Sequence, residues 1–257
     1  MFKQERIEQM EDYISNKKFV TMNDLCDTFS ISMNTARADI KNLVDKGRIQ
    51  KVYGGVSSKS NVSYTSFEMR KKLNIQKKRK IAKAAASFIE DGDIIFIDSG
   101  TTTMHIIDFI SPEIKITVVT NSLSICNQAS SNKNIQLICT GGTYQSKTNS
   151  FITYGVVNNI NNYNIMKAFM SATGVSINGD LTNSVSTECE IKKAAVQCCE
   201  KKIFLADSSK LGKVALLTYA TIAQMDVFIT DQGTPDYFKK LCNEAGTVVV
   251  LADVEQE

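Results

Sequence analysis

From Ile81 onward the chain alternates short apolar runs with segments of helical period, and nothing else in it limits the fold as strongly. Ile94 to Ile97, Ile116 to Val119, Ile135 to Cys139, Ala168 to Ala172, Ile203 to Ala206, Val227 to Thr230 and Val248 to Leu251 read as strands. Ala82 to Ile89, Met104 to Ile110 and Leu123 to Ala129 read as the helices around the first of them. Strands that are apolar throughout and separated by helices pair in parallel, covered on both faces. The fold class expected is therefore α/β with a mostly parallel sheet, which binds ligands outside the carboxyl ends of its strands.

The chemistry of such a fold lies just past each strand. After Ile97, the turn Asp98-Ser99-Gly100-Thr101-Thr102-Thr103 hands over to a helix, and its amides and hydroxyls form a candidate phosphate cradle. It has neither the GxxxxGK of a triphosphate loop nor the GxGxxG of a dinucleotide site, so no nucleotide cofactor is expected. Thr120-Asn121-Ser122 follows Val119, and Thr140-Gly141-Gly142 follows Cys139. One Ser-Gly-Thr turn is more often a plain helix N-cap than a ligand site; three such strand ends in series bring the two readings level.

Thr21 to Gly55 carries another signature, two helix-sized blocks and a basic strand pair, which is the layout of a winged helix-turn-helix. Thr21 with Asp24 makes a capping box, and Leu25, Cys26 and Phe29 form the inner stripe of the first block. Ser30-Ile31-Ser32 breaks the period, and Ser32 caps a second block that runs to Asp45 and ends at Gly47. In that block Ala36, Ile40, Leu43 and Val44 share one face, while Asn34, Ala38, Lys41 and Asp45 share the other, the candidate reading face. Arg37 on the border could reach a phosphate, a guanine edge, or Asp39; the phosphate role is favoured. Arg48 to Val52 alternates at period two, placing Arg48, Gln50 and Val52 opposite Ile49 and Lys51. A helix over Gln4 to Asn16, with Ile7, Met10 and Ile14 inward, completes a three-helix core, and Phe19-Val20 begins the small sheet. The candidate DNA-contacting residues are Ser32, Asn34, Thr35, Arg37, Lys41, Arg48, Lys51, Tyr53 and Gly54. A protein-binding three-helix module has the same geometry, and charge separates the two.

Residues 1–83 hold eighteen Lys and Arg against nine Asp and Glu; the remainder holds twelve against eighteen. A basic front is drawn to a polyanion through counterion release, while an acidic rear keeps off it. Much of the excess, Arg70, Lys71, Lys72, Lys77, Lys78, Arg79, Lys80 and Lys83, crowds between the two segments. That stretch reads equally as a solvated helix or as phosphate contact. The boundaries expected are a DNA-binding domain over 1–57, a basic linker over 58–80 and a sensor domain over 81–257.

At 257 residues and 43% hydrophobic content, one small and one ordinary domain can be built. The longest apolar runs are strand-length, so neither a membrane span nor a leader is expected. Seven cysteines with no CxxC, and a single histidine, fit reduced cytosolic thiols and disfavour zinc or iron-sulfur binding.

At this point the chain resembles the DeoR type of bacterial sugar-responsive transcriptional repressors, over nearly its full length. The likeness rests in front on Glu5-Arg6, Ser32-Met33-Asn34-Thr35-Ala36-Arg37-Ala38-Asp39-Ile40, Gly47 and Tyr53-Gly54-Gly55. Behind, it rests on Asp98-Ser99-Gly100-Thr101-Thr102, Thr120-Asn121-Ser122, Gly141-Gly142, Gly155, Gly174, Glu188 and Asp207-Ser208-Ser209-Lys210. The resemblance implies a cytoplasmic homo-oligomer bound to a double-stranded operator, with a sensor domain that looks like ribose-phosphate isomerase and takes a phosphorylated sugar. Carried over, Asp98, Ser99, Gly100, Thr101, Thr102, Thr103, Asn121, Gly141, Gly142 and Lys210 form the effector pocket.

Two departures matter. Where the family has a second adjacent arginine in the recognition helix, this chain has Ala38, which removes a guanine-directed fork though its methyl could touch thymine. Where the related isomerases carry acids, Ala168 to Val175 has none, which removes the general base expected of an enzyme. The rival reading is a sugar-phosphate isomerase-like enzyme with a DNA anchor. His105 is expected to pack, Lys192-Lys193 and Lys201-Lys202 to flank helix surfaces, and Glu188 either to touch ligand or to pair internally.

Overall fold

The Thr21 hydroxyl accepts a hydrogen bond from the Asp24 amide and the Asp24 carboxylate accepts one from the Thr21 amide, so the expected capping box starts a helix there. The computed structural model describes residues 3–17, 19–45, 49–52, 55–58, 66–152 and 160–252, and these fall into two compact units, Met1–Ser63 and Tyr64–Glu257. The first unit consists of α1 (Lys3–Lys17), β1 (Phe19–Val20), α2 (Met22–Phe29), α3 (Met33–Asp45), β2 (Ile49–Val52) and β3 (Gly55–Ser58). Its antiparallel sheet runs β1-β3-β2. Ser30 ends α2 in the left-handed region at φ 51°, and the Ser32 hydroxyl accepts from the Thr35 amide to start α3. Ile7, Met10, Ile14, Leu25, Ile40, Leu43, Ile49 and Val56 are buried together, and Tyr13 meets Phe29 edge to face at 5.7 Å. Asp39 is paired with Arg6 at 2.8 Å, and Arg37 lies exposed instead of bracing its helix through that carboxylate.

The second unit opens with α4 (Phe67–Lys72) and α5 (Ile75–Ala86), followed by β4 (Ile94–Ile97), a 3-10 helix (Thr103–Phe109), β5 (Ile116–Thr120), α6 (Leu123–Ala129) and β6 (Ile135–Cys139). A hairpin of β7 (Thr143–Gln145) and β8 (Ser150–Ile152) comes next, then β9 (Lys167–Ser171), β10 (Gly174–Val175), β11 (Asp180–Asn183) and α7 (Ser186–Cys198). The chain closes with β12 (Lys201–Leu205), β13 (Leu217–Thr221), β14 (Val227–Thr230), α8 (Asp236–Glu244) and β15 (Val248–Leu251). Seven strands form one sheet in the order β15-β14-β12-β9-β4-β5-β6, every neighbouring pair parallel. Both faces are covered, as continuous apolar strands require: Ile95, Ile97, Phe169, Ile203 and Leu205 pack to one side, while Phe96, Met170, Phe204 and Phe228 pack to the other. The chain runs from β4 outward through β5 and β6, then returns to β9 on the other side of β4. That places a topological switch point between β4 and β9, where a crevice opens at the carboxyl ends.

The helical stretch expected over Met104 to Ile110 is present as a 3-10 helix, Thr103–Phe109. Two expectations need correction. Residues 66–80, expected as linker, are α4 and the front of α5, anchored by Phe67 in the core of the second unit. Lys201-Lys202 start a strand, and Lys192 is buried within α7 with an ion partner, its ammonium 5.4 Å from the centre of the Tyr219 ring on β13.

Candidate functional site

Gly100 holds the switch-point turn in a conformation no other residue can share: a Cβ there would lie 2.8 Å from Thr103 Oγ1 and 2.9 Å from Asp98 Oδ1, and closer still to Ser171 Oγ. The turn is organised by Asp98, which is 1% exposed. Its Oδ1 accepts from the Gly100 amide at 2.9 Å and from the Thr103 hydroxyl; its Oδ2 accepts from the Ser171 amide at 2.6 Å and the Ser171 hydroxyl at 2.8 Å. The Lys192 ammonium pairs with the same Oδ2 and donates to the Ser171 carbonyl at 3.0 Å. Burial alone would raise the Asp98 carboxyl, but Lys192 and these hydroxyls hold it below the ordinary range. Asp98 and Thr103 are thus the frame of the turn, and Ser99, Gly100, Thr101 and Thr102 are what it presents to the cleft.

Around that turn the cleft is lined by Arg70, Ser171, Ala172, Thr173, Asn183, Glu188, Lys192 and Lys210. It carries both signs of charge. Arg70 and Lys210 line it, and close by Lys78 is buried and donates to Thr101 Oγ1 at 3.0 Å. Burial first, and then the Lys210 and Arg70 charges, lower the Lys78 ammonium to about 8, with Asp207 opposing them. Burial likewise lowers both Lys210 and the Arg70 guanidinium. Neither Arg70 nor Lys210 forms an ion pair among the described residues. Glu188, carried by α7, accepts through Oε1 from the Ser99 hydroxyl at 2.6 Å and the Ser150 hydroxyl at 3.1 Å.

The sequence-derived residues divide accordingly. Ser99, Gly100, Thr101, Thr102 and Lys210 line one cleft; Asn121, Gly141 and Gly142 do not. Asn121 is 1% exposed, with its backbone bonded to Phe151 and its Nδ2 reaching the Phe151 carbonyl at 3.4 Å, so it secures β8. Gly141 and Gly142, at φ 71° and 115°, form the turn between β6 and β7. His105 is buried outside the cleft lining, where desolvation lowers its pKa against the pull of Asp108 3.7 Å away. Glu188, expected either to touch ligand or to pair internally, lines the cleft and accepts from two hydroxyls. Arg70, Lys78 and Lys192 were not singled out as ligand residues, and the local sign of Arg70 and Lys78 was the run of basic residues in the stretch expected as linker.

On the first unit, Asn34, Arg37, Ala38 and Lys41 are exposed on α3, with Ser32 exposed and Thr35 half-buried at its start. Lys51 is exposed on β2. Arg48, Tyr53 and Gly54, also expected to contact DNA, lie outside the described residues, as do Gly47 and Gly155. Asn34, Arg37 and Lys41 thus point outward while Ala36, Ile40 and Leu43 are buried, which suits a helix that enters a groove.

Residues 6–62 match the DeoR-like helix-turn-helix domain, and residues 73–232 match the DeoR C terminal sensor domain. The chain is 46% identical to the HTH-type transcriptional regulator IolR of Bacillus subtilis (strain 168) over 247 residues, 96% of this chain and 98% of that one. It is 26% identical to the HTH-type transcriptional repressor GlcR of the same organism, over 100% of this chain and 99% of the other. Among solved structures, ribose 5-phosphate isomerase A from Methanocaldococcus jannaschii aligns with a TM-score of 0.40 at 20% identity, covering 54% of this chain and 55% of that one.

Proposed function

This chain belongs to the DeoR family of DNA-binding transcriptional regulators, and from that premise we propose that it represses a carbohydrate-utilisation operon and leaves its operator when a phosphorylated sugar fills the cleft of the second unit. The observation that carries the effector half is the meeting of the Ser99 to Thr102 turn with Arg70 and Lys210 in one cleft, with Lys78 buried behind it on Thr101. Desolvated cations beside backbone amides and hydroxyls favour a compact dianion. Asn183 and the second oxygen of Glu188, whose Oε1 is taken by Ser99 and Ser150, line the same cleft and can meet sugar hydroxyls. The name of GlcR supports the repressing sign. Action on an operator places the protein in the cytoplasm, and repeated half-sites call for a homo-oligomer. A thermal-shift screen of phosphorylated sugars against their unphosphorylated parents tests the effector, since a ligand of the folded state raises the melting temperature. A screen in which parents and esters act alike would sink it.

The charge state of Lys78 gives a pH dependence. A phosphate monoester is already a dianion above about pH 7, so the protein's own titration dominates beyond that. Lys78 is charged below about 8 and loses its proton above. Bound anion holds that proton, so affinity should be level up to about pH 8 and then fall by up to about tenfold per pH unit. Calorimetric titration between pH 7 and 9.5 measures this, and a flat profile removes Lys78 from the site.

The DNA half rests on Arg37 and Lys41 as phosphate contacts. Replacing either with alanine should lower the slope of log affinity against log salt by about one, with effector binding unaltered. Gel retention of a duplex selected from a random pool, run across salt, reads the slope. The enzyme reading draws on Glu188 and Lys192 in the cleft. Both are committed to the Ser99, Ser150 and Asp98 contacts that frame the turn, and no turnover of sugar phosphates is expected.

A further inference from the structure

Two of the cations beside the Ser99 to Thr102 turn, Arg70 in the cleft lining and Lys78 behind Thr101, do not come from the sheet. Arg70 lies in the last turn of α4 and Lys78 in the first turns of α5, two helices joined by an elbow at Leu73-Asn74. Lys78 Nζ ties the pair together by donating to the Arg70 carbonyl while also reaching Thr101. Asn74 occupies the left-handed region at φ 53°, uncommon for a residue with a side chain, and is held there by its own amide. Its Nδ2 donates to Asp207 Oδ1 at 3.0 Å and to Ser209 Oγ at 3.1 Å, on the loop that carries Lys210. Lys77 donates to Asp231 Oδ2 at 2.6 Å and to Ser208 Oγ at 3.1 Å. The arm therefore rests on the loops after β4, β12 and β14, at the sheet's ligand-binding edge.

We propose that Arg70 and Lys78 are anion ligands, and that the α4–α5 arm is the element through which occupancy of the cleft is passed to the DNA-binding unit. This rests on the effector reading above. The arm carries part of a like-charged cluster: Arg70 and Lys210 have no ion pair among the described residues, and each lowers the proton affinity of Lys78. A dianion placed among the three replaces mutual repulsion with attraction, drawing the arm onto the strand ends. α4 starts just past the boundary between the two compact units, so the covalent connection to the helix-turn-helix leaves from this arm. An effector bound only to the strand-end loops would leave that connection unaffected. One bound through Arg70 changes its freedom, and a two-state element biased by the ligand is what coupling requires.

The test uses the full-length chain. Amide hydrogen exchange over residues 67–74 is followed alone, with inorganic phosphate, and with whichever phosphorylated hexose or polyol most raises the melting temperature, its unphosphorylated parent as control. Exchange should slow by about tenfold or more with the ester and stay unchanged with the parent. Arg70→Met should bind the ester about ten- to a hundredfold more weakly. With the cleft refilled at higher concentration, the variant should remain on a selected duplex that the unaltered chain leaves by a factor of about five to 150. Its melting temperature without ligand should not fall, because one of three like charges has gone. If it does fall, Arg70→Lys, which keeps the charge and loses the fork, supplies the same comparison with a smaller coupling loss. Release of the duplex by Arg70→Met with the cleft full, or exchange in the arm that ignores a bound ester, overturns the proposal while leaving the effector reading intact. Failure of every phosphorylated compound to bind overturns both.

Discussion

Asp98→Ala should destabilise the second unit by about 3–5 kcal/mol, the usual cost of leaving one member of a buried ion pair without the other. Lys192 would be the stranded charge: it is 4% exposed, with the Ser171 carbonyl as its remaining oxygen partner. The Gly100 amide, the Ser171 amide and the Thr103 hydroxyl would lose an acceptor in the same step. Denaturant unfolding of the second unit measures the loss, and the double variant Asp98→Leu with Lys192→Met should recover part of it, since a buried pair replaced together by apolar groups is often near neutral. If the double variant were as unstable as the single, hydrogen bonding rather than the lone charge would be the cause. The same pair sets an acid limit. Asp98 is held below its unfolded value, so its contribution is complete above about pH 4 and is lost as pH falls through the folded value. Asp98→Leu with Lys192→Met should lack that acid-sensitive component.

The second large effect is expected from Gly100→Ala. The added methyl would overlap Ser171 Oγ and press on Thr103 Oγ1 and Asp98 Oδ1, so the turn has to move or Ser171 has to give up Asp98. Either way the amides and hydroxyls of Ser99 to Thr102 leave the positions that Lys78 and Lys210 complement. Effector affinity should drop by about a hundredfold, equivalent to about 2.7 kcal/mol, while duplex binding persists, giving a regulator that no longer responds. Ser171→Gly in the same chain removes the nearest obstacle and should restore part of the affinity, as a titration would show. Full affinity in Gly100→Ala would mean that the turn does not touch the ligand.

Much of this architecture is legible in the sequence because it depends on local periodicity. Strand and helix alternation fixes the parallel sheet; a capping box at Thr21 and a second cap at Ser32 fix two helices; and the inner and outer faces of α3 follow from 3.6 residues per turn. The strand-end rule also points to the turn after Ile97. What a linear reading cannot supply is which strand ends become neighbours. Asn121 and Gly141-Gly142 follow strands as the Asp98 turn does, yet β5 and β6 lie on the far side of β4 from β9, so their loops fall outside the cleft. Lys192 and Asp98 are 94 residues apart, and Glu188 and Ser99 are 89 apart; no spacing announces either pair.

The chain by itself determined the two units, their secondary structure and the cationic face of α3, since burial along a helix or strand repeats at a fixed interval and capping involves residues within one turn. Only the tertiary structure decided that Arg70 and Lys78, in the presumed linker, turn toward the Ser99 to Thr102 turn, and that a carboxylate from α7 faces Ser99. Charge on a helix reads the same whether it faces water or a cleft, and the packing of α4 and α5 onto the sheet settles which.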